Sequence, residues 1–509
     1  MRIQFIWFNL NCTPKMSLGV AILVRELVAA GHQVSVLHLN EQIGQPFSLP
    51  RIIADIKGFG PGLVALSFGR NHLKYAALLL PALKRALGDV PLLCGGVHPT
   101  LMPDEVMRLE GVDYLCLGEA DGLLAPFVAR LEAGRDVSDL PGFWGRDFKN
   151  PMAPLPDLGH QTRIDFDHID HAAALEYNRG MFEVVSGRGC PGSCRFCFNP
   201  ALRAAYRRHL PPESAGRPYC RKRGVDNLLS EMEEVVRRFG ARLKLFSFAD
   251  DAFNTDRDWT LEFCRSYRER IGLPYTCNLL IENIDDEVAR ALGRSGAIAK
   301  IGVESGDERI RCEVLGKSFD NQAVVRGHAL LKAAGVPTRL YLMVGNPGET
   351  RDEIMTTFRF AAELQPDSTR LCIFYPVEGS PIYHQCRRDG LLSGRDYENY
   401  DDLSVLRWEP AMALFLEQTH DLYPWMQNVH MGEDCAREYR PVLARALAMK
   451  PDEWHSEEAR RFVQDTSREL SALLRQRGVA HYFNPFPERP DVAFRYTGAP
   501  VGLPNVDET

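Results

Sequence analysis

Apolar and polar positions alternate in two rhythms along the first 135 residues. Residues 3–8 form an apolar run, 33–39 alternate with period two, and 62–68, 90–94 and 112–117 are further short apolar runs, each predicting a strand. Between them, residues 18–30 and 73–87 carry apolar positions at helical spacing, and Gly31 gives the first of these a stop. Near-continuous apolar strands separated by helices predict a parallel sheet covered on both faces. Ligands of such sheets bind beyond the carboxyl ends of the strands. Here those ends carry residues 9–15, Ser67-Phe68-Gly69, Gly95-Gly96-Val97-His98 and Gly118-Glu119.

Residues 136–180 lose the rhythm, are rich in Pro, Asp and Gly, and read as a linker. The rhythm resumes at Phe182, with strands predicted at 182–187, 243–248, 275–280, 298–303, 338–344 and 369–374. Helices are predicted at 224–239, 257–271, 284–294 and 320–334. Six such repeats predict a partial (β/α)6 barrel. Beyond about residue 390 the pattern is helical, at 408–430, 432–448 and 455–477, and the proline-rich last 30 residues predict a loose tail. The expected organisation is α/β throughout: a doubly wound Rossmann-like domain over 1–135, a linker over 136–180, a barrel over 181–390 and a mainly helical region over 391–509.

Composition narrows the function classes. The 509 residues are 45% hydrophobic and 25% charged, with a net charge of −7, which is not the basic footprint of a nucleic-acid protein. No apolar run reaches the length of a membrane span, and residues 75–87 are interrupted by Pro81, Lys84 and Arg85. The N-terminus lacks a small-residue cleavage site, so the expected location is the cytoplasm. The thirteen cysteines are an odd count, mostly scattered in apolar settings such as Cys94, Cys116, Cys264, Cys277 and Cys372. This is no disulfide framework, and a reducing compartment leaves thiols free for metal.

Three cysteines are not scattered. Residues 186–200 read Ser-Gly-Arg-Gly-Cys-Pro-Gly-Ser-Cys-Arg-Phe-Cys-Phe-Asn-Pro and place Cys190, Cys194 and Cys197 in a C-x3-C-x2-C spacing. The segment follows an apolar strand and is full of Gly and Pro, so it is a loop on which three thiolates can converge. Structural zinc needs four ligands, and neither His209 nor Cys220 supplies a regular spacing for the fourth. A cubane cluster normally takes four thiolates, so three leave one iron open for a further ligand.

With this motif the chain resembles the radical S-adenosylmethionine superfamily. Three more segments resemble the family in order: Phe248-Ala249-Asp250-Asp251-Ala252-Phe253-Asn254, Ile301-Gly302-Val303-Glu304-Ser305-Gly306 and Val344-Gly345-Asn346-Pro347-Gly348-Glu349-Thr350. The resemblance implies a [4Fe–4S] cluster on Cys190, Cys194 and Cys197. It implies S-adenosylmethionine contacts at Phe196, Asp250, Glu304, Ser305 and Gly345, with Asp250 facing the methionyl ammonium. Read without the resemblance, Asp250-Asp251 is a helix N-cap and Pro347-Gly348-Glu349-Thr350 a turn into a helix.

The first domain resembles the cobalamin-binding domain of one large subgroup, through Leu93-Cys94-Gly95-Gly96-Val97-His98-Pro99-Thr100, the stretch from Val112-Asp113-Tyr114 to Gly118-Glu119, and Leu140-Pro141-Gly142-Phe143-Trp144. No G-x-G-x-x-G follows the first strand, which argues against a dinucleotide. Cobalamin contacts are implied at Asn11, Ser67, Gly95, Gly96, Gly118 and Glu119. The D-x-H-x-x-G motif that places a histidine below cobalt is absent, so neither His38 nor His98 is expected to ligate the metal.

The resemblance implies a cobalamin-dependent radical methyltransferase acting on an unactivated carbon of a small-molecule substrate in biosynthesis. An electron donor such as flavodoxin or ferredoxin is implied; nucleic acid is not. Ring rearrangement or oxidative cyclisation shares this architecture. A methylthiotransferase would need a second cluster, for which Cys12, Cys94 and Cys116 are available, and a cobalamin carrier would not need Cys190, Cys194 and Cys197. In the helical region Trp408, Tyr423, Trp425 and Met426 read as core or as a pocket lining.

Overall fold

The structure is a computed structural model that describes residues 1–159, 162–209, 218–394, 404–485 and 492–498. The side chain of His209, and 486–491 and 499–509 of the expected tail, lie outside the described residues. The chain divides into two compact units, Met1–Pro191 with Phe198–Asp251, and Gly192–Cys197 with Ala252–Thr509.

The first unit contains β1 (Arg2–Phe8), β2 (Gln33–Leu39), β3 (Leu63–Ser67), β4 (Leu92–Gly95), β5 (Tyr114–Cys116) and β6 (Phe143–Gly145). They form one sheet in the order β2-β1-β3-β4-β5-β6. The first five strands are parallel, and only β6 runs antiparallel, against β5. The register sets Phe5 beside Val36 on one side and Ala65 on the other. The first four residues of β3 are all buried, as expected of a strand covered on both faces. Helices Leu18–Ala29 and Leu73–Leu87 follow β1 and β3, and Leu79, Leu80 and Leu83 of the second pack into a core with Ile6, Phe8 and Leu66. The elements not expected include the amphipathic helix Leu49–Phe59, the helix Leu124–Glu132, and β6, which lies inside the stretch read as linker and closes the sheet edge.

The same unit holds β7 (Met181–Val184), β8 (Gly187–Arg188), β9 (Arg221–Lys222) and β10 (Leu245–Phe248). β7 and β10 pair in parallel, and β8 and β9 pair antiparallel. The apolar run predicted as one strand over 182–187 therefore ends at Val184, and the chain re-pairs at Gly187 in a separate ribbon that leads into the cysteine loop.

The second unit contains β11 (Tyr275–Leu279), β12 (Ala297–Glu304), β13 (Thr338–Val344), β14 (Ser368–Ile373), β15 (His481–Phe483) and β16 (Val492–Tyr496). β11 to β14 are consecutive parallel neighbours, with helices Asp286–Ser295, Asn321–Ala333 and Arg351–Leu364 between them or following. β16 pairs antiparallel with β14 and with β15, so part of the stretch read as a loose tail is a sheet edge. The helices Pro410–Asn428, Glu433–Leu447 and Glu457–Gln476 match the predicted helical region, and Tyr423, Trp425 and Met426 are core residues there. Among the described residues no helix is long and apolar enough to cross a membrane.

Candidate functional site

The cysteine loop is prepared from below by Asp250, which ends the β10 stretch and is fully buried. Its carboxylate accepts hydrogen bonds from the backbone N–H groups of Ser186 and Gly187 at 2.8–2.9 Å and from the Ser186 hydroxyl. Asp251 accepts from Asn199 and from the Gly189 N–H. Burial pushes both carboxyls above the usual range, opposed by these donors and, at Asp250, first by the charge of Lys222. The structure thus places Asp250 under the loop backbone. Both its oxygens accept from the Ser186–Gly187 stretch, with the charge of Lys222 close by, and the following helix, Arg257–Arg270, is capped by Asp256, not by Asp250 or Asp251.

Arg188 and Arg221, on the β8–β9 ribbon, are tied to the edge of the parallel sheet. Arg188 grips Asp121 with two parallel hydrogen bonds of 2.7 and 2.8 Å and also donates to Glu119, and Arg221 pairs with the same Glu119. Bidentate guanidinium–carboxylate pairs fix orientation as well as charge. Glu119, expected at the corrinoid, lines the cleft at the sheet edge and also ties sheet to ribbon. Arg203 adds hydrogen bonds to the carbonyls of Cys190 and Pro191.

In the second unit, Cys194 and Cys197 sit on one turn, closed by the Cys197 N–H donating to the Cys194 carbonyl at 3.2 Å. All three motif thiols are half-buried and free of disulfides. Arg195 donates its N–H to the Leu315 carbonyl and accepts at its own carbonyl from Ile382 N–H, while its guanidinium holds Gln385 at 2.6 Å. Phe196 packs on a cluster that includes Ile310, Leu315 and Phe374, so its ring is an anchor of the turn.

Glu304 ends β12 beyond a bulge, in the left-handed region at φ 64°. A non-glycine residue there costs about 1–3 kcal/mol unless its surroundings hold it. Lys317 does so: its buried ammonium pairs with Glu304 Oε1 at 3.1 Å and donates to the Gly302 carbonyl. Against the burial that would lower it, Glu304 and Cys194 push the Lys317 pKa up, and Lys317 in turn counters the rise that burial imposes on the Cys194 thiol. Ser305 is fully buried, and its hydroxyl meets Thr357 at 3.0 Å and accepts from the Asp307 N–H, so it shapes the turn. Gly345, at φ 77°, packs against Leu416. The following Asn346-Pro347-Gly348-Glu349-Thr350 stretch is the turn into helix Arg351–Leu364, capped by Thr350 and Glu353. Glu349 there is buried. One oxygen accepts from the Asn346 N–H and side chain, and the other has no partner among the described residues. Burial pushes its carboxyl up to about 8.

At the carboxyl edge of the first sheet lies a cleft of about 540 Å3, bounded by the start of helix Leu18–Ala29 and by Trp7, Leu66, Ser67, Leu93, Gly96 and Gly118. Glycine is required at two points of its floor. At Gly96, φ 104°, a Cβ would lie 2.8 Å from the Phe68 carbonyl oxygen, and at Gly118, φ 79°, 2.4 Å from the Tyr206 hydroxyl. Gly95 has room for a Cβ at ordinary contact. Asn11 stands apart from the cleft. It takes a left-handed φ of 56°, and its side chain donates to the Tyr75 hydroxyl. The loop it belongs to is organised by Asn9, which binds the Lys15 N–H, Cys12, His38 and Asn40. No histidine lines the cleft among the described residues. His98 is buried beside Glu105 at 3.3 Å, and burial pushes its pKa down to about 4, as it does for His38. Cys94 and Cys116 are buried in strands, with thiol pKa values pushed up by burial, and they are not a loop that could hold a metal.

The donor sets fit the groups that the motif and sheet imply. Three thiols on one loop suit a cluster with an open iron. A mostly apolar cleft with a glycine floor suits the flat, hydrophobic end of a corrinoid. Sequence reasoning missed Arg188, Lys317 and Asn9. Arg188 stood in plain view between two glycines of the cysteine motif, and Lys317 follows Gly316, but their partners are 67 and 13 residues away.

Comparison with known proteins agrees. The family model of the radical SAM superfamily matches residues 184–361, and that of the B12 binding domain matches 16–128. An uncharacterized methyltransferase of Pyrococcus horikoshii is 24% identical over 407 residues, 78% of this chain and 83% of that protein. The fold matches the radical S-adenosylmethionine methyltransferase TsrM of Kitasatospora setae, solved with cobalamin and a [4Fe-4S] cluster, at TM-score 0.62 and 16% identity, over 78% of this chain and 79% of that one. It matches the cobalamin-dependent S-adenosylmethionine radical enzyme OxsB, solved with aqua-cobalamin and S-adenosylmethionine, at TM-score 0.64 and 14% identity, over 94% and 75%.

Proposed function

Because the chain belongs to the radical S-adenosylmethionine superfamily and carries a B12 binding domain, we propose that it is a methyltransferase that moves a methyl group onto an unactivated carbon of a small biosynthetic substrate. The observation that carries this reading is the coexistence in one chain of a three-thiol loop and a glycine-floored cleft that no histidine lines among the described residues. Cys190, Cys194 and Cys197 hold the cluster, Glu304 and Gly345 border S-adenosylmethionine, and Ser67, Gly95, Gly96 and Gly118 border the corrinoid. When bound, the cluster with S-adenosylmethionine supplies a hydrogen-abstracting radical, and the corrinoid supplies the methyl group. The chain's own residues do the positioning. Asp250 and Arg188 fix the entry of the cysteine loop, Arg195 and Phe196 fix its turn, and Lys317 holds the half-buried Glu304 in place.

We assign residues 1–135, with β6 of the same sheet, to cobalamin binding, the rest of 136–180 to a linker, 181–390 to the radical domain and 391–509 to substrate selection. The enzyme works in the cytoplasm and draws its electron from a flavodoxin or ferredoxin.

The test needs no substrate. The protein is purified without oxygen, reconstituted with iron, sulfide and hydroxocobalamin, and given a reductant and S-adenosylmethionine carrying a deuterated methyl group. The expected result is about four iron and one cobalt per chain, and methylcobalamin that carries the deuterium. Cobalt that stays unmethylated while 5′-deoxyadenosine accumulates would replace methyl transfer with rearrangement or cyclisation, and about seven or eight iron would point to a second cluster.

A further inference from the structure

Lys317 lies outside every motif segment singled out in the sequence, yet its ammonium is buried at the end of a strained strand. Three observations converge on it. Glu304 is a non-glycine residue in the left-handed region, next to a register shift between Gly302 and Glu304. Lys317 bridges that bulge, paired with Glu304 Oε1 at 3.1 Å and bonded to the Gly302 carbonyl. A Cβ on residue 302 would fall 2.4 Å from Glu304 Oε1 and 3.2 Å from the Lys317 ammonium, so glycine at 302 makes room for the pair.

The segment that delivers Lys317 also holds the cysteine turn. Leu315 accepts the Arg195 N–H and packs under Phe196. At Gly316, in the left-handed region at φ 71°, a Cβ would meet the Arg195 side chain at 2.7 Å. One short stretch, Leu315-Gly316-Lys317, therefore grips the turn between Cys194 and Cys197 with its first two residues and Glu304 with its third. A lysine ammonium has three N–H groups. Two are used by Glu304 and Gly302, and the ammonium also lies over the Phe319 ring at 5.4 Å from its centroid.

We propose that Lys317 is a positioning residue that locks Glu304 in its bulge and sets a fixed positive charge beside the cluster-bearing turn, so that it both orders the S-adenosylmethionine site and eases reduction of the cluster. The proposal rests on the cluster reading given under Proposed function. A fixed cation favours the more negative, reduced form of a nearby centre, and a net charge, hydrogen bonds and exposure are the levers by which a protein sets a cluster's potential.

The experiment compares wild type with Lys317→Met, Lys317→Arg and Glu304→Gln, all reconstituted anaerobically and checked for iron content and melting behaviour. S-adenosylmethionine affinity is measured by equilibrium binding, and the midpoint potential by a dye-mediated titration read by electron paramagnetic resonance. Lys317→Met is expected to bind S-adenosylmethionine about tenfold more weakly and to lower the cluster's reduction equilibrium about tenfold, which is ~59 mV for one electron. Lys317→Arg keeps the charge and is expected to restore the potential. Glu304→Gln is expected to weaken binding without lowering the potential. A purely structural role would destabilise the protein without separating these two readouts. The proposal is overturned if Lys317→Met folds, holds its iron and leaves both affinity and potential unchanged. Should Lys317→Met fail to fold, Lys317→Arg and Glu304→Gln decide: a Glu304→Gln protein with native affinity, or a Lys317→Arg protein with a lowered potential, overturns it. A wild-type protein that takes up no cluster overturns the underlying reading itself, and is told apart by its iron count.

Discussion

At Gly96 the chain leaves β4 through φ 104°, with no room for a methyl group against the Phe68 backbone. Gly96→Ala combines a strained conformation with a contact that only backbone movement relieves. It is expected to cost roughly 1–3 kcal/mol and to reduce cobalt loading, read by urea denaturation and metal analysis of the same preparation; full cobalt loading at native stability would remove Gly96 from the cleft's requirements. Glu349 makes a pH-dependent prediction. Its folded pKa of about 8 lies above the ordinary value for a glutamate, so the folded state binds more protons than the unfolded one between those limits. The stability it contributes is complete below about pH 4.3 and is lost as pH rises toward 8, by at most about 1.4 kcal/mol per pH unit. Glu349→Gln removes that slope, and unfolding free energies of the two proteins at four pH values between 5 and 8 test it; parallel curves would mean that the carboxyl is charged at neutral pH. Residues whose task follows from local chain geometry, such as the three clustered cysteines and Gly96, stood out in the sequence. The hydrogen-bond partners of Asp250 and Glu119 were not legible, because a carboxylate's partner is chosen by tertiary approach: Asp250 meets Ser186 across 64 positions and Glu119 meets Arg221 across 102.

Among the elements, the ribbon β8–β9 joins the cysteine loop to the helix Val225–Phe239. Arg223, just beyond β9, sits with Glu231 of that helix in a pair that is 1% exposed at both ends, with the guanidinium bonded to Glu231 at 2.7 Å and to Asn227. Glu231 also receives the Ile164 N–H, and the Arg223 N–H donates to the Ser186 carbonyl. Removing one partner of such a pair leaves an uncompensated buried charge, so Glu231→Ala is expected to lose about 3–5 kcal/mol. The double variant Glu231→Leu with Arg223→Met is expected to recover much of this. Equal losses in the single and double variants would show that the hydrogen bond from the Ile164 N–H to Glu231, not the charges, carries the effect. These short ribbons were invisible as pattern, since two residues cannot display a period, whereas the long helices and the parallel strands could be read within a few residues of their ends. β15 and β16 were hidden for a related reason. They are short, antiparallel and set among prolines, and only the pairing of β16 with β14, and of β15 with β16, makes them strands.

Across the whole molecule, the two cofactor sites draw on different chemistry and can be separated by it. The cleft at the sheet edge is bounded by strand ends, a helix start and glycine backbone, and none of the three motif cysteines lines it. The cysteine loop, in turn, owes its shape to Asp250, Arg188, Arg195 and Phe196, which remain in place when the thiols are gone. Replacing Cys190, Cys194 and Cys197 together by alanine removes every cluster ligand but no hydrogen bond that builds the cleft. The triple variant is therefore expected to bind no iron and form no 5′-deoxyadenosine, yet to retain about one cobalt per chain, with the visible spectrum of the bound corrinoid unchanged. Loss of cobalt together with iron would mean that the cluster orders the corrinoid site, and the assignment of cobalamin to the glycine-floored cleft alone would have to be given up. Retention of iron would instead place the cluster on other cysteines, and the buried strand thiols Cys94 and Cys116 are poor substitutes, because both would have to surrender core packing to reach a metal.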